Sequence, residues 1–290
     1  MEIQELKSIL QNAGAAGAGG AGFPTYGKLD ERAEVILMNC AECEPLLKLH
    51  RQLLEQCAGE ILKAFDMIAR TVGAKEAVIG IKKEYKATLK AINRYIDAYP
   101  NMRIQLLDGA YPMGDEVVLI YEATGRVIRP GGLPIEEGVA VFNVETVYNV
   151  YRAVERDIPV IDKLVTVVGE VEHPITVRVP LGASLKDVVA YAGETTAGDP
   201  AYLVGGPMMG NLADEAAVVT KTTNAVIVLD KSHSLIRRKG RNAAIDLKRA
   251  ASACCQCETC TSLCPRHALG HPIEPHKFMR SAANQDFQDT

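Results

Sequence analysis

"GAAGAGGAGFPTYGKL", residues 14–29, carries five glycines in its first nine positions, and Gly17 to Gly22 spell G-x-G-x-x-G. The reading of these glycines decides the fold. In a dinucleotide fold the pattern follows a strand and opens a helix at its third glycine. Here Ile3, Leu6, Ile9 and Leu10 recur at helical spacing before the glycines, and Phe23-Pro24 follows them directly. The usual dinucleotide reading fails that test of context. The loop still suits an anion, because glycines let backbone N–H groups turn inward to a phosphate without Cβ clashes. Lys28 adds a point charge. A solvated linker is the alternative, and a bulky Phe23 beside the glycines fits it poorly.

Working outward, Val35–Met38 reads as a buried strand. A long helix is expected over Leu46–Val72, with Leu46, Leu49, Leu53, Leu54, Cys57, Ile61, Phe65, Ile68 and Val72 on one stripe. Strands are expected at Ala77–Ile81, Arg103–Leu107 and Val139–Phe142, and helices at Tyr85–Tyr99, Glu116–Thr124 and Val144–Val154. This alternation implies an α/β, Rossmann-like domain over residues 1–157, its mostly parallel sheet covered on both faces.

The pattern changes near Pro159. Two β-rich runs flank a turn at Glu172–Pro174, a helix follows with Ser184 as N-cap, and "AYLVGG" and "NAVIVLD" read as further strands. The ββαβ order suggests a small β-grasp domain over 160–232. "GGPMMG" (205–210) reads either as a tight turn packed by its two methionines, the preferred reading, or as glycines approaching a flat macrocycle. Basic residues 237–241 read as a linker, and a helical, cysteine-rich segment occupies 243–290.

Two or three domains suit the 290 residues, and the formal charge of −4 argues against nucleic acid and anionic membrane surfaces as partners. No apolar run approaches the roughly 20 residues of a bilayer span. The amphipathic, acid-bearing "MEIQELKSIL" does not resemble a signal peptide, so a cytoplasmic location is expected.

Five of the eight cysteines crowd into residues 254–264, which points to metal ligation in a reducing compartment. Cys254-x2-Cys257-x2-Cys260-x3-Cys264-Pro265 is the bacterial ferredoxin run for a [4Fe–4S] cluster. Zinc is the competing metal, but zinc knuckles usually split their ligands into two distant pairs. Cys255 is a spectator by spacing. In two-cluster proteins the fourth cysteine serves the other cluster, so a second run is expected beyond Thr290 and the segment is read as incomplete. His267, His271 and His276 lie in a Pro-rich stretch and read as structural or solvated. Cys40-x-x-Cys43 lacks a partner pair and reads as two inert thiols. No G-x-S-x-G, P-loop or H-E-x-x-H motif is present.

"GAGGAGFPT-x-x-KL" resembles the flavin loop of the complex I flavin subunit and the Rnf complex C subunit. "NCAECEP" (39–45), "GAYPMGDE" (109–116), "ATGRVIRPGGLP" (123–134), "NVETVYN" (143–149) and "GGPMMG" follow in the order of that superfamily. "DEVVLIYEATGR", "VTKTTNAVIVLDKSH" and "CPRHALGHPIEPH" bring the chain closest to its corrinoid (cobalamin) reductases of propanediol-utilisation microcompartments. The β-grasp segment resembles the soluble-ligand-binding β-grasp (SLBB) domain.

The resemblance implies FMN, NAD(P)H and [4Fe–4S] as cofactors. Gly17, Gly19, Gly20, Gly22 and Lys28 would hold the FMN phosphate. Asn39, Glu42, Asn143 and Thr146 would contact the flavin or its ribityl chain. Phe23 and Glu44 would face the nicotinamide nucleotide, and Tyr111, Gly114, Asp115 and Glu116 would lie beside the isoalloxazine. Cys254, Cys257 and Cys260 would serve one cluster and Cys264 the other. Ala41 stands where the complex I pattern has Asp, so one flavin contact is missing. The implied activity is NAD(P)H-dependent electron transfer through flavin and iron–sulfur centres to cob(II)alamin, on a corrinoid or a corrinoid-binding partner protein, with a bacterial microcompartment as its setting. The alternatives are an Rnf C-like module feeding ferredoxin or another reductase, and a non-catalytic SLBB docking subunit with a vestigial flavin site.

Overall fold

The computed structural model describes residues 1–284. Its first unit runs α1 (Ile3–Asn12), β1 (Val35–Asn39), α2 (Leu49–Val72), β2 (Glu76–Lys82), α3 (Lys86–Asn93), β3 (Met102–Leu107), α4 (Glu116–Thr124), β4 (Val139–Asn143) and α5 (Val144–Arg156). The strands form one parallel sheet in the order β3-β2-β1-β4. Near-continuous apolar strands such as Val35–Met38 are buried on both faces. One face packs Ile36, Met38, Ile79 and Phe142 against α1, α2 and α5. The other packs Leu37, Val78 and Val141 against α4.

The order of strands fixes where a ligand can sit. From β1 the chain winds to β2 and β3 on one side, then returns to place β4 on the other. The carboxyl ends of β1 and β4 therefore bracket the topological switch point, where open α/β sheets leave a crevice.

The second unit is a five-stranded mixed sheet, ordered β6-β5-β9-β7-β8, built from β5 (Asp162–Gly169), β6 (Ile175–Pro180), β7 (Pro200–Val204), β8 (Asn211–Ala213) and β9 (Ala225–Asp230). α6 (Leu185–Ala190) covers it, and Ser184 accepts the Asp187 N–H as its N-cap. α7 (Ser234–Lys239) follows, then α8 (Ala243–Ala253), α9 (Thr259–Ser262), α10 (Pro265–Ala268) and α11 (Pro275–Asn284).

Several expectations need correction. α2 starts at Leu49, not Leu46: Leu46 follows Pro45 in a left-handed conformation (φ 71°) and is exposed. The Glu42 carboxylate explains the start, because it accepts the N–H groups of His50 and Arg51 and satisfies two first-turn donors. Cys57 has non-helical backbone (φ −125°), so the stripe crosses a kink there. The Tyr85–Tyr99 helix ends at Asn93 and resumes only as a 3-10 turn at Ile96–Ala98. Arg237, Arg238 and Lys239 finish α7 rather than forming a linker, and cations there complement the helix dipole. The short strand β8 had no distinct signal in the sequence. The methionines of "GGPMMG" do not pack the turn, since Met208 and Met209 are 48% and 73% exposed.

Candidate flavin cleft and the cysteine segment

Asn39 ends β1, Asn143 ends β4, and the two are register partners at the switch point. Each side chain is fixed by what it bonds. Asn39 Nδ2 donates to the Gly114 carbonyl at 2.9 Å, and its Oδ1 accepts the Ala41 N–H at 3.1 Å. Asn143 Oδ1 accepts the Glu145 N–H at 2.9 Å as the N-cap of α5. Asn143 thus turns the chain from strand to helix, and its Nδ2 faces the glycine loop.

That loop is held from both ends. Ala16 bridges to Pro24, Gly17 N–H donates to the Phe23 carbonyl at 2.8 Å, and Ala18 N–H donates to buried Thr146 Oγ1 at 3.0 Å. Lys221 of the second unit donates to the Gly14 carbonyl at 2.6 Å. A Cβ on Gly19 would collide with Asn143 Nδ2, so only glycine permits that approach. A Cβ on Gly20 would meet nothing within 4 Å, leaving room above the loop. Among the described residues, the N–H groups of Gly19, Gly20, Ala21 and Gly22 have no protein acceptor.

A cleft of about 650 Å³ opens here, within the range of small-molecule sites. Gly17, Gly19, Gly20, Gly22, Phe23, Lys28, Asn39, Gly114, Glu116, Asn143 and Thr146 line it. Thr25 also lines it, with its Oγ1 buried and lacking a hydrogen-bond partner. Four free amides, an orphaned hydroxyl and a cradle that Cβ atoms would fill make a fit for a phosphate-tailed ligand. Lys28 reaches the cleft already engaged: its Nζ donates to the Val141 carbonyl at 2.8 Å and lies 3.5 Å from Glu116 Oε1.

Four of the expected residues are not among those lining the cleft. Glu42 caps α2 and pairs with Arg51 at 3.2 Å. Glu44 accepts the N–H groups of Met208 and Met209, at 2.9 and 2.7 Å, from the "GGPMMG" turn of the second unit. Asp115 caps α4 and pairs with Arg266. Tyr111 is half exposed at the loop before α4. Conversely Asp30, Arg32 and Ile135 line the cleft without any signal in the sequence to single them out, and Leu133 and Pro134, the end of the 123–134 segment, line it without having been assigned a role. Arg32 bonds Asp30 and holds that carboxyl down at about 2.

His50 is a further residue that sequence reasoning missed. Its Nε2 lies 3.1 Å from Asn143 Nδ2 and its Nδ1 3.7 Å from Glu42 Oε1. Burial pushes its pKa below the usual 6.5, against the pull of Glu42 and Glu145. Cys40 is buried, and burial raises its pKa well above a normal thiol, as suits an inert role. Cys43 Sγ accepts the Gly114 N–H.

In the cysteine segment, Cys254 and Cys264 are partly buried and Cys257 and Cys260 exposed. Among the described residues no three His, Cys, Asp or Glu side chains gather as a metal set. The donor chemistry, four thiols at ferredoxin spacing, suits an iron–sulfur cluster; this conformation does not assemble them. His271 and His276 are buried and hydrogen-bonded to the Ile128 carbonyl and to Thr261, in keeping with a structural role.

Comparison with known proteins matches this layout. The Nuo51 FMN-binding domain model fits residues 10–152, the SLBB domain model 164–212 and a 4Fe-4S dicluster domain model 253–290. The cobalamin reductase PduS of Salmonella typhimurium is 43% identical over 282 residues, covering 97% of this chain and 62% of that protein. The Citrobacter freundii PduS is 41% identical over 98% of this chain and 63% of its own length. The C subunit of the proton-translocating ferredoxin:NAD(+) oxidoreductase complex of Clostridium ljungdahlii is 31% identical, covering 92% of this chain and 57% of its own. The chain therefore spans less than two thirds of these relatives. Among solved structures, an NAD+-reducing [NiFe]-hydrogenase in the H2-reduced state superposes with a TM-score of 0.69 at 26% identity, over 92% of this chain and 52% of that one. No helix among the described residues is long and apolar enough to cross a membrane. Cleft, domain order and relatives agree: the chain belongs to the superfamily of the Rnf C subunit and the complex I flavin subunit, on the branch of the PduS cobalamin reductases.

Proposed function

We propose that the chain is the flavin-bearing part of an NAD(P)H-dependent oxidoreductase that passes electrons to cob(II)alamin. The observation that carries this reading is the cleft at the β1/β4 switch point, with free amides above it and two asparagines at its floor. The units 1–157, 160–232 and 243–290 would then serve as flavin domain, SLBB domain and iron–sulfur segment.

Gly19, Gly20 and Gly22 would offer their N–H groups to the FMN phosphate, and Thr25 Oγ1 its unused hydroxyl. Lys28 would supply charge after exchanging its present partners. Thr146, in the first turn of α5, holds the loop by accepting the Ala18 N–H, and Asn143 lies close against Gly19. Asn39 fixes the loop that carries Gly114 and leads into α4 at Glu116. When bound, FMN would accept two electrons from a reduced nicotinamide and release them singly, a task for which the chain supplies placement and electrostatics. Cys254, Cys257, Cys260 and Cys264 would ligate iron–sulfur clusters, and the corrinoid would be presented by a partner protein in a bacterial microcompartment.

The test is anaerobic reconstitution with FMN, NADH titration, then addition of cob(II)alamin. Retained flavin absorbance that NADH bleaches and cob(II)alamin restores is expected. A protein that takes up no flavin removes this reading and favours a docking subunit.

A further inference from the structure

The cysteine segment is not loosely attached; it is bonded to the cleft side of the parallel-sheet unit. Arg266 donates from Nε and Nη2 to one oxygen, Asp115 Oδ2, at 3.1 and 2.7 Å. The other oxygen, Oδ1, accepts the N–H groups of Val117 and Val118 at the start of α4. Buried His271 meets the Ile128 carbonyl through Nε2 at 2.8 Å, so that nitrogen carries the donated proton. Leu269 packs on the apolar cluster around α4 and Ile128. These contacts join α10 and the turn after it to one patch.

The patch adjoins the cleft. Asp115 follows Gly114, which lines the cleft and accepts from Asn39. On the other side Cys264 occupies the N-cap position of α10, and Pro265 at the first helical position sets the chain on course for Arg266. Asp115 is thus divided between two tasks, one oxygen for its own helix and one for the dock.

We propose that Arg266 is a positioning residue, which through Asp115 docks the cysteine run so that Cys264 is held at the Gly114 rim of the cleft. This deepens the flavin reading and rests on it for its purpose, while the dock itself is a property of the folded chain. Charge-assisted hydrogen bonds of this kind at a half-buried site outweigh ordinary surface pairs. Cys264 stands at the start of α10, two residues before Arg266, so it is the ferredoxin-run cysteine that these contacts bring toward the flavin domain.

The test compares Arg266→Met and Arg266→Lys with the parent by hydrogen exchange, without added cofactor. Arg266→Met is expected to speed exchange of the Ala268 and Leu269 amides about tenfold. Arg266→Lys should recover part of that protection, and the Val117 and Val118 amides should be unaffected because their acceptor is untouched. In the FMN- and iron-reconstituted protein, NADH should bleach the flavin of Arg266→Met at the parental rate while iron–sulfur bleaching slows, and Arg266→Lys should restore it. Parental exchange at Ala268 and Leu269 in Arg266→Met overturns the dock. Faster exchange with unslowed iron–sulfur bleaching overturns the positioning role. Failure of flavin uptake by every variant and the parent alike would instead strike the flavin reading, and the exchange result would still decide the dock.

Discussion

His50 Nε2 sits 3.1 Å from Asn143 Nδ2, at the point where the first turn of α2 meets the end of β4. Asn143 Oδ1 is committed to the Glu145 N–H, so its amide nitrogen must be the group facing His50. That nitrogen only donates, so the imidazole must accept at Nε2 and carry its proton on Nδ1, toward Glu42. The geometry thus requires a neutral imidazole, in line with the downward push of burial on its pKa.

A pH dependence follows from the sign of that shift. With the folded pKa below the unfolded 6.5, the unfolded chain binds a proton that the folded chain refuses as pH falls through 6.5. Stability from this site is complete above that value and declines beneath it. Glu42, Glu145 and Lys163 act on the ring, and the two acids soften the decline. Chemical denaturation at pH 7.0 and 5.5 should show the parent losing about 1 kcal/mol more than His50→Gln, whose carboxamide oxygen replaces the Nε2 acceptor. Equal losses in both proteins would mean that His50 is charged in the fold.

Gly19 and Gly20 separate loop support from ligand seating. A methyl at Gly19 displaces the Asn143 amide, which is pinned by its cap, so Gly19→Ala should cost about 1 kcal/mol before any ligand is added. Gly20→Ala meets open space and should shift stability by less than about 0.5 kcal/mol. Both should weaken FMN binding, measured by fluorescence titration: Gly19→Ala by displacing Asn143 beneath the loop, Gly20→Ala by putting carbon into the open space where a phosphate would lie. Parental affinity in Gly20→Ala would move the phosphate elsewhere.

Glu44 joins the two units. It accepts two successive amides of the 205–210 turn, and a Cβ on Gly206 would collide with its carboxylate. Lys239 holds the same turn through the Met208 and Gly210 carbonyls. Glu44→Gln keeps one acceptor but turns a donor toward the other amide, so about 1 kcal/mol of local protection should be lost. Hydrogen exchange at Met208 and Met209 reads this directly. No change there would mean that Lys239 alone holds the turn.

The parts of this fold legible in the sequence are those set by local period. The strand at Val35 and the helices at Glu116 and Val144 each bury a face whose spacing the chain declares. Leu46 has the right spacing for the α2 stripe, yet Pro45 and the distant Glu42 cap start the helix after it. Arg237–Lys239 read as a linker because charge pattern does not reveal that Ile236 is buried beside β7 and β9. At the cleft, the glycines, Asn39, Asn143 and Thr146 were found by motif. Asp30, Arg32 and Ile135 were not, since they stand in the separate connections before β1 and β4 and only the folded sheet brings those together at one cleft. His50 is a lone histidine at a helix start, and its meaning comes from a strand end 93 residues away.

Glu145 and Lys163 form an ion pair buried between α5 and β5. Burial lowers the Lys163 pKa while Glu145 opposes it, and the ammonium also reaches Asn224 Oδ1 at 2.8 Å. Glu145 Oε1 accepts the Leu164 N–H, so the pair ties the first turn of α5, which holds the glycine loop, to the β-grasp sheet. Removing one partner strands a charge in the interior, which costs about 3–5 kcal/mol; replacing both costs far less. Lys163→Met should therefore destabilise by about that amount, and adding Glu145→Gln should recover most of it, because the carboxamide oxygen still accepts from Leu164 without a charge. Thermal unfolding of the three proteins decides the matter. If the double variant is no more stable than Lys163→Met, then packing lost with the lysine stem, not the stranded carboxylate, is the cause.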